Sequence, residues 1–339
     1  MRVLLLFGGM SAEHEVSLVS AEFVGSVLRG SGHETLNVRI ERDGSWLLKE
    51  EKLEIQAGHP VWKLAAGSRG VAFDVVFPVL HGPFGEDGTV QGLCMMAGWP
   101  FTGAGVMTSS LAMNKAASKR LAEAHGLPVL PWKSFRRGSP PDPDSIGELG
   151  WPVFVKPARM GSSVGISRVD GPEGLKEAVD LAHRFDSLII VEKGLEEARE
   201  IEVALLSEGG EVSSSIPGEV VPGLEWYDYE AKYSCAESRL LIPAPIPGPL
   251  SDRFRRCAET SFSMMAGSGF ARSDFLLGPR GEFYFNEINT IPGFTEISMF
   301  PKLWKASGVT PEELMERILK EATRIHAETF RNSMEVTAR

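Results

Sequence analysis

The chain has 339 residues, 43% hydrophobic and 24% charged, an ordinary soluble globular composition with length for two or three domains. Its 35 Lys and Arg against 45 Asp and Glu give a formal net charge of −10 without a basic run, which argues against a nucleic-acid partner. Cys94, Cys235 and Cys257 are widely spaced, with no Cys-x-x-Cys pair, and no apolar run approaches the roughly 18 residues of a membrane span, so a cytoplasmic protein without a membrane partner is expected.

Val3 to Phe7 is a continuous apolar run, too short for a signal peptide's core and typical of a buried parallel strand. It enters Gly8-Gly9-Met10-Ser11-Ala12-Glu13-His14-Glu15, after which Val16, Val19, Ser20, Phe23 and Val27 recur at helical spacing toward Gly30. Such a turn places a helix N-terminus at the carboxyl end of a strand, where open α/β sheets bind ligands. Taken alone, Glu13 is an acid complementing that helix dipole. Ala72 to Leu80 predicts a second buried strand, followed by a loop shaped by Gly and Pro from His81 to Gly88, in which His81 by itself could be structural. A short strand at Trp99 to Thr102 would complete a first domain.

Ser109 to His125 predicts one helix, with Lys115 and Lys119 one turn apart on what is by default a solvated face. After the Pro140-Pro141-Asp142-Pro143 connection, Val153 to Pro157 predicts a strand, Ala158 to Gly165 a Gly- and Ser-rich loop, and Ile166 to Val169 another strand. A Walker loop would open into a helix, so that motif fails on context. Successive backbone N–H groups can still cradle an anion there, and Lys156 adds a point charge. A helix from Pro172 to His183, a strand from Leu188, and strands at Glu200 to Leu206 and Val212 to Ile216 follow. The polar, tyrosine-rich stretch Tyr227 to Ser234 suits a lid or binding loop.

A helix from Ser251 to Ala266 leads to the most informative segment, Arg272 to Gly293. Gly278, Pro279 and Gly281 separate two apolar, aromatic-rich runs, which predicts a hairpin. With a four-residue loop Leu277 faces Glu282 and Arg272 faces Glu287, and Arg272 and Asp274 share a face with Glu287 and Asn289. Three hard oxygen donors beside a guanidinium suit Mg²⁺ holding polyphosphate. Thr310-Pro311-Glu312-Glu313 is a capping box opening a last helix, and the tail beyond His326 is expected to fray.

Five segments together resemble the D-alanine:D-alanine ligases of the ATP-grasp superfamily, almost end to end. They are Gly-Gly-Met-Ser-Ala-Glu-His-Glu-Val-Ser-Leu (8–18), His-Gly-Pro-Phe-Gly-Glu-Asp-Gly-Thr-Val-Gln-Gly (81–92), Val-Lys-Pro-Ala-Arg-Met-Gly-Ser-Ser-Val-Gly (155–165), Tyr-Asp-Tyr-Glu-Ala-Lys-Tyr (227–233) and Asn-Glu-Ile-Asn-Thr-Ile-Pro-Gly-Phe-Thr (286–295). The resemblance implies an α/β fold, α+β in the grasp portion: a Rossmann-like parallel-sheet domain at 1–105, then an ATP-grasp fold of two α+β subdomains at 106–212 and 213–339, the latter carrying the metal site.

The resemblance also implies roles. ATP would be read by Glu192 and the backbone at Lys193 and Leu195, with Glu200 on the ribose. Lys115, Lys156, Ser162 and Lys232 would hold phosphates, and Asp274, Glu287 and Asn289 two Mg²⁺ ions, or Mn²⁺ in their place. Glu13, linked through Ser162 to Tyr233, would take the first D-alanine's ammonium, with Val16 and His81 nearby. Arg272 and the Gly293 N–H would meet the oxyanion, and Ser298 the second substrate's carboxylate. The expected product is the D-alanyl-D-alanine of peptidoglycan, made through an acyl phosphate by a homodimer. Cys94-Met95-Met96 and Ser273 depart from the usual pattern. Glu296, close to the expected second pocket, makes D-serine, D-lactate or another amine the alternative acceptors. A nucleotide-binding module without turnover would lack a ligand or a lysine, and none is missing.

Overall fold

The computed structural model describes residues 1–58, 61–222 and 239–337, with side chains to residue 329. Its first part runs β1 (Arg2–Gly8), α1 (His14–Gly30), β2 (Glu34–Ile40), β3 (Trp46–Leu48), β4 (Glu51–Lys52), β5 (Glu54–Gln56), β6 (Lys63–Ala66), β7 (Arg69–Val71), β8 (Val75–Val79) and α2 (Thr89–Ala97). β1 lies between β2 and β8, parallel to both, in a sheet ordered β4-β3-β2-β1-β8. Val3 and Leu5 enter one core, with α1 and the C-terminal helices, and Leu4 and Leu6 another on the opposite face. Burial on both faces is why the strand is apolar throughout instead of alternating. The strand expected at Trp99 to Thr102 is a single bridge, Val76 to Phe101, because Pro100 brings no N–H to a ladder.

The second part holds α3 (Val106–Met113), α4 (Lys115–Ala124), β9 (Trp132–Arg136), α5 (Pro143–Gly147), β10 (Val153–Pro157), β11 (Ser167–Val169), α6 (Leu175–Phe185) and β12 (Leu188–Lys193). The helix expected from Ser109 to His125 is broken at Asn114. That residue leaves helical geometry (φ −87°, ψ 93°), and its side chain accepts from the Ala117 N–H at 3.1 Å. A cap in mid-run therefore starts a new helix at Lys115. The antiparallel sheet β11-β10-β12-β9 packs α6 against one face through Leu175, Val179, Val153, Val155, Ile189 and Val191. The other face carries Lys156 and Glu192.

The third part comprises β13 (Arg199–Glu208), β14 (Glu211–Ser214), β15 (Gly218–Val221), β16 (Arg239–Leu241), α7 (Gly248–Ser263), β17 (Phe270–Leu277), β18 (Phe283–Asn289), α8 (Met299–Ala306) and α9 (Pro311–Thr337). Its sheet is ordered β16-β15-β13-β17-β18, with β14 also on β13. The border expected at residue 212 therefore falls inside one sheet. Phe254, Ala258 and Phe262 of α7 cover one face with Ile201, Val203, Phe275 and Phe285. The Thr310 hydroxyl accepts from the Glu313 N–H at 3.2 Å, as the capping box predicts, and the backbone stays helical through Thr337, well past His326.

The β17–β18 hairpin forms with a different register. The Gly278 N–H donates to the Glu282 carbonyl at 2.7 Å, so the loop takes in Glu282 and Leu277 pairs with Phe283. A bulge then shifts the pairing: Asp274 stands directly opposite Glu287, and Arg272 opposite Asn289. Phe283 and Phe285 are buried, Asn286 and Glu287 both lie half-buried, and Ile288 is buried again. Plain alternation would put Glu287 on the face of Phe285, two positions away; the unpaired Asn286 turns it to the opposite face. No helix among the described residues is long and apolar enough to cross a membrane.

Candidate active site

Arg272 is clamped by two carboxylates. Its Nε and Nη2 donate to the two oxygens of Asp274, both at 2.7 Å, and Glu202 Oε2 lies 3.1 Å from Nε. Burial works against the charge, but Asp274 and Glu202 more than offset it and hold the guanidinium pKa well above the usual arginine value. On the neighbouring strand Glu287 Oε2 lies 3.0 Å from Nζ of Lys115, the first residue of α4, which also donates to the Met160 carbonyl at 2.9 Å. Asn289 Oδ1 accepts from the Ile291 N–H at 3.0 Å. Asp274, Glu287 and Asn289 thus share a face, with Arg272 and Lys115 on the two acids. No group of three or more His, Cys, Asp or Glu able to hold a metal occurs among the described residues. The set of two carboxylates and an amide oxygen still has the hard-donor chemistry of a magnesium site, provided the two cations give way.

Glu192 lies on the next sheet, on the face that α4 covers. Its carboxylate pairs with Lys119 and, at 2.7 Å, with Lys156. Despite burial, the two lysines hold Glu192 below the usual carboxylate range. Burial lowers Lys119 against the pull of Glu192, whereas for Lys156 burial is outweighed by the charge and hydrogen bond of Glu192 together with the charge of Glu287, and its pKa is raised. Glu200, part-buried on β13, adds to that pull on Lys156. The Lys193 N–H already donates to the Pro131 carbonyl at 2.9 Å, and Leu195 lies half-buried just past β12. Lys119 was expected on a solvated face and is 1% exposed. A signal existed: it falls at helical spacing between Ala116 and Ala122, both buried.

The Gly-Ser loop connects this region to the N-terminal domain. Ser162 and Ser163 adopt left-handed φ values of 49° and 59°, uncommon for residues with a Cβ and typical of constrained functional loops. The Ser162 hydroxyl donates to the Glu13 carboxylate. Glu13 is the N-cap residue of α1, but its side chain makes no capping bond. Instead it packs against Gly82, where an added Cβ would come within 2.5 Å of its Oε2. A cleft of about 260 Å³ opens beside it, lined by Met10, Phe84, Met160, Gly161 and Val164. Val16 is half-buried in the first turn of α1.

His81 is buried, with Nδ1 3.0 Å from the Ile291 carbonyl and Nε2 3.2 Å from Ser20 Oγ. A carbonyl only accepts, so Nδ1 carries the hydrogen, and burial keeps the ring pKa low. Glu86 was not anticipated. It is buried, accepts from the Gly82 N–H at 2.7 Å, and is pushed up to about 8 by burial and by Glu13. Gly293 approaches Ser298, whose Oγ would lie 3.0 Å from a Cβ there and is 2.7 Å from Thr295 Oγ1. Glu296 is exposed. Of the unusual positions, Ser273 is fully buried and accepts from the Ser261 hydroxyl at 2.9 Å, while Met95 and Met96 are exposed. Lys232, Tyr233 and the rest of the tyrosine-rich stretch lie outside the described residues.

Residues 2–104 match the family model described as D-ala D-ala ligase N-terminus, and residues 121–320 the one described as D-ala D-ala ligase C-terminus. The chain belongs to the D-alanine–D-alanine ligase family. A D-alanine–D-alanine ligase of Heliobacterium modesticaldum is 42% identical over 360 aligned residues, covering 98% of this chain and 97% of that one. The solved D-alanine-D-alanine ligase from Coxiella burnetii superposes with a TM-score of 0.87 at 28% identity over 100% of both chains. A D-Ala:D-Ser ligase from Enterococcus faecalis gives 0.83 at 30% identity, covering 95% of this chain and 99% of its own. The chain has the ATP-grasp fold of the ligase family, behind an N-terminal α/β domain.

Proposed function

We propose that the protein uses ATP to join two D-alanines into D-alanyl-D-alanine for peptidoglycan synthesis, in the cytoplasm and as a homodimer. The observation that carries this reading is convergence of three parts of the chain: Ser162 bonds Glu13, Lys115 bridges Glu287 and the Met160 carbonyl of the Gly-Ser loop, Arg272 clamps Asp274, and the charges of Glu13, Glu287 and Arg272 all act on buried Glu86. Lys115 and Lys156 offset phosphate charge, and Asp274, Glu287 and Asn289 hold the Mg²⁺ ions, which when bound neutralise the nucleotide's tail. The first D-alanine's carboxylate oxygen bonds to the γ-phosphorus as the bond to ADP breaks. The second D-alanine's amine then attacks that acyl carbon, phosphate leaves, and the ammonium proton is lost.

Glu13 takes the first substrate's ammonium, next to Val16 and His81. Arg272 and the Gly293 N–H face the developing oxyanion, and Ser298 the second carboxylate. Glu192 and the backbone at Lys193 and Leu195 meet the base, and Glu200 the ribose. Lys232 and Tyr233 complete the phosphate and Glu13–Ser162 sets. The functional units are the N-terminal domain to residue 105 and two grasp halves, whose border we place at Leu195, between β12 and β13. The decisive experiment measures phosphate release with D-alanine and Mg²⁺, followed by product analysis with D-alanine, D-serine and D-lactate in competition. Release that is equal with L-alanine would overturn the proposal, and a mixed product containing D-serine would shift the acceptor.

A further inference from the structure

Lys119 belongs to no role yet described. Its side chain and that of Glu192 are each 2% exposed and paired, while Lys156, on the other carboxylate oxygen, is 13% exposed and lies 5.7 Å from the centre of the Phe154 ring. One cation would suffice to compensate one buried carboxylate, and each buried ion carries a large desolvation cost, so a second ammonium calls for a reason. The two lysines are not equivalent. Lys156 stands on β10 and keeps some contact with solvent; Lys119 stands on α4, beside the buried Ala116, and keeps almost none.

We propose that Lys119 is a positioning residue for nucleotide-base selection: it fixes the Glu192 carboxylate from behind, so that Lys156 can be given up to the nucleotide and the freed oxygen of Glu192 faces the base. This rests on the reading above that puts the base at Glu192. A carboxylate only accepts hydrogen bonds, so in this position it favours the 6-amino group of adenine and opposes the 6-oxo group of hypoxanthine or guanine. If Lys119 were absent, Glu192 would have Lys156 as its only counter-charge in the pair. Because an unpaired buried charge is costly, that lysine would stay on the carboxylate, occupying the oxygen meant for the base and withholding its charge from the phosphates.

The test compares ATP with inosine triphosphate as substrates of the full-length enzyme. Lys119→Met should raise the KM for ATP by about tenfold and compress the ATP-to-inosine preference by a similar factor, the scale of one lost polar contact. The kcat at saturating ATP should fall as well, by up to about tenfold, because a Lys156 kept on Glu192 is withheld from the phosphates, so the base preference and not kcat is the diagnostic readout. Lys119→Arg, which keeps the cation, should restore both KM and preference. Glu192→Gln separates the two layers of the reasoning. If it leaves the preference unchanged, the base does not sit at Glu192 and the underlying reading fails. If it erases the preference while Lys119→Met keeps the parent's KM and preference, the role given to Lys119 is overturned. Should a melting curve show that Lys119→Met does not fold, Lys119→Gln, which keeps a donor without its charge, is scored by the same criteria.

Discussion

Arg272 and Asp274, two residues apart on β17, are joined by both arms of the guanidinium, each donating at 2.7 Å. Positions i and i+2 of a strand share a face, so the sequence alone brings this pair together. The proposed metal ligand is thereby shielded by a cation that an incoming divalent ion would have to displace, and Glu202, 3.1 Å from the same guanidinium, would keep Arg272 in place.

Glu287→Gln tests the oxygen set. Turnover should fall by about a hundredfold or more, because charge stabilisation of this kind is worth several kcal/mol. Its ion pair with Lys115 is partly exposed on the Glu287 side, so the melting temperature should barely move. Near-normal turnover would show that Glu287 holds no ion.

Asn114→Ala removes the cap that starts α4. The expected loss is about 1 kcal/mol, read as a lower urea midpoint at unchanged slope, with recovery in Asn114→Asp. Lys115 is the first residue of that helix, so the KM for ATP should rise alongside. A midpoint equal to the parent's would mean that α4 starts without help from the cap.

Asp186→Ala releases the base of the Gly-Ser loop. The buried Asp186 side chain accepts from the Arg159 N–H at 2.8 Å and the Leu188 N–H at 3.0 Å and pairs with the Arg159 guanidinium. Leaving those donors unmatched should cost about 2 kcal/mol or more and make residues 158–165 more susceptible to proteolysis. Equal cleavage rates in parent and variant would contradict the anchoring role.

Glu86 gives a pH dependence with a definite sign. Burial, then Glu13, raise its carboxyl from about 4.5 to about 8, so the folded chain keeps a proton that the unfolded chain loses. Its contribution is therefore full below pH 4.5 and declines as pH rises toward 8, by up to roughly 1.4 kcal/mol per pH unit. In Glu86→Gln nothing titrates and an oxygen remains for the Gly82 N–H. Melting curves should show the parent losing ground to the variant between pH 5 and 8.5; parallel profiles would exclude the shift.

What could be read from sequence was what local chemistry determines. Val3 to Phe7 is apolar because both faces are covered, and Asp274 and Arg272 share a face because strands alternate. Lys119 escaped because its partner is 73 positions away in the chain, and an isolated lysine on a helix gives no hint of a carboxylate opposite it. Glu86 read only as one position of a loop shaped by Gly and Pro, since the burial that shifts it comes from tertiary packing. Asn114 carried a usable signal, a capping residue in mid-run, that reading Ser109 to His125 as one helix passed over.

The hairpin register differs at two places, a loop longer by Glu282 and the bulge at Asn286 beside Phe285, and the bulge has a wider consequence. The aromatic core and the oxygen donors of β18 are kept apart by arithmetic as much as by chemistry. Exchanging Asn286 for another residue alters one side chain; inserting a residue between Asp274 and Phe275 on the partner strand would give Asn286 a pair, restore plain alternation and roll Glu287 into the phenylalanines, stripping the cleft of a ligand without changing a single functional residue. Variants of this hairpin should therefore tolerate changes of letter far better than changes of length.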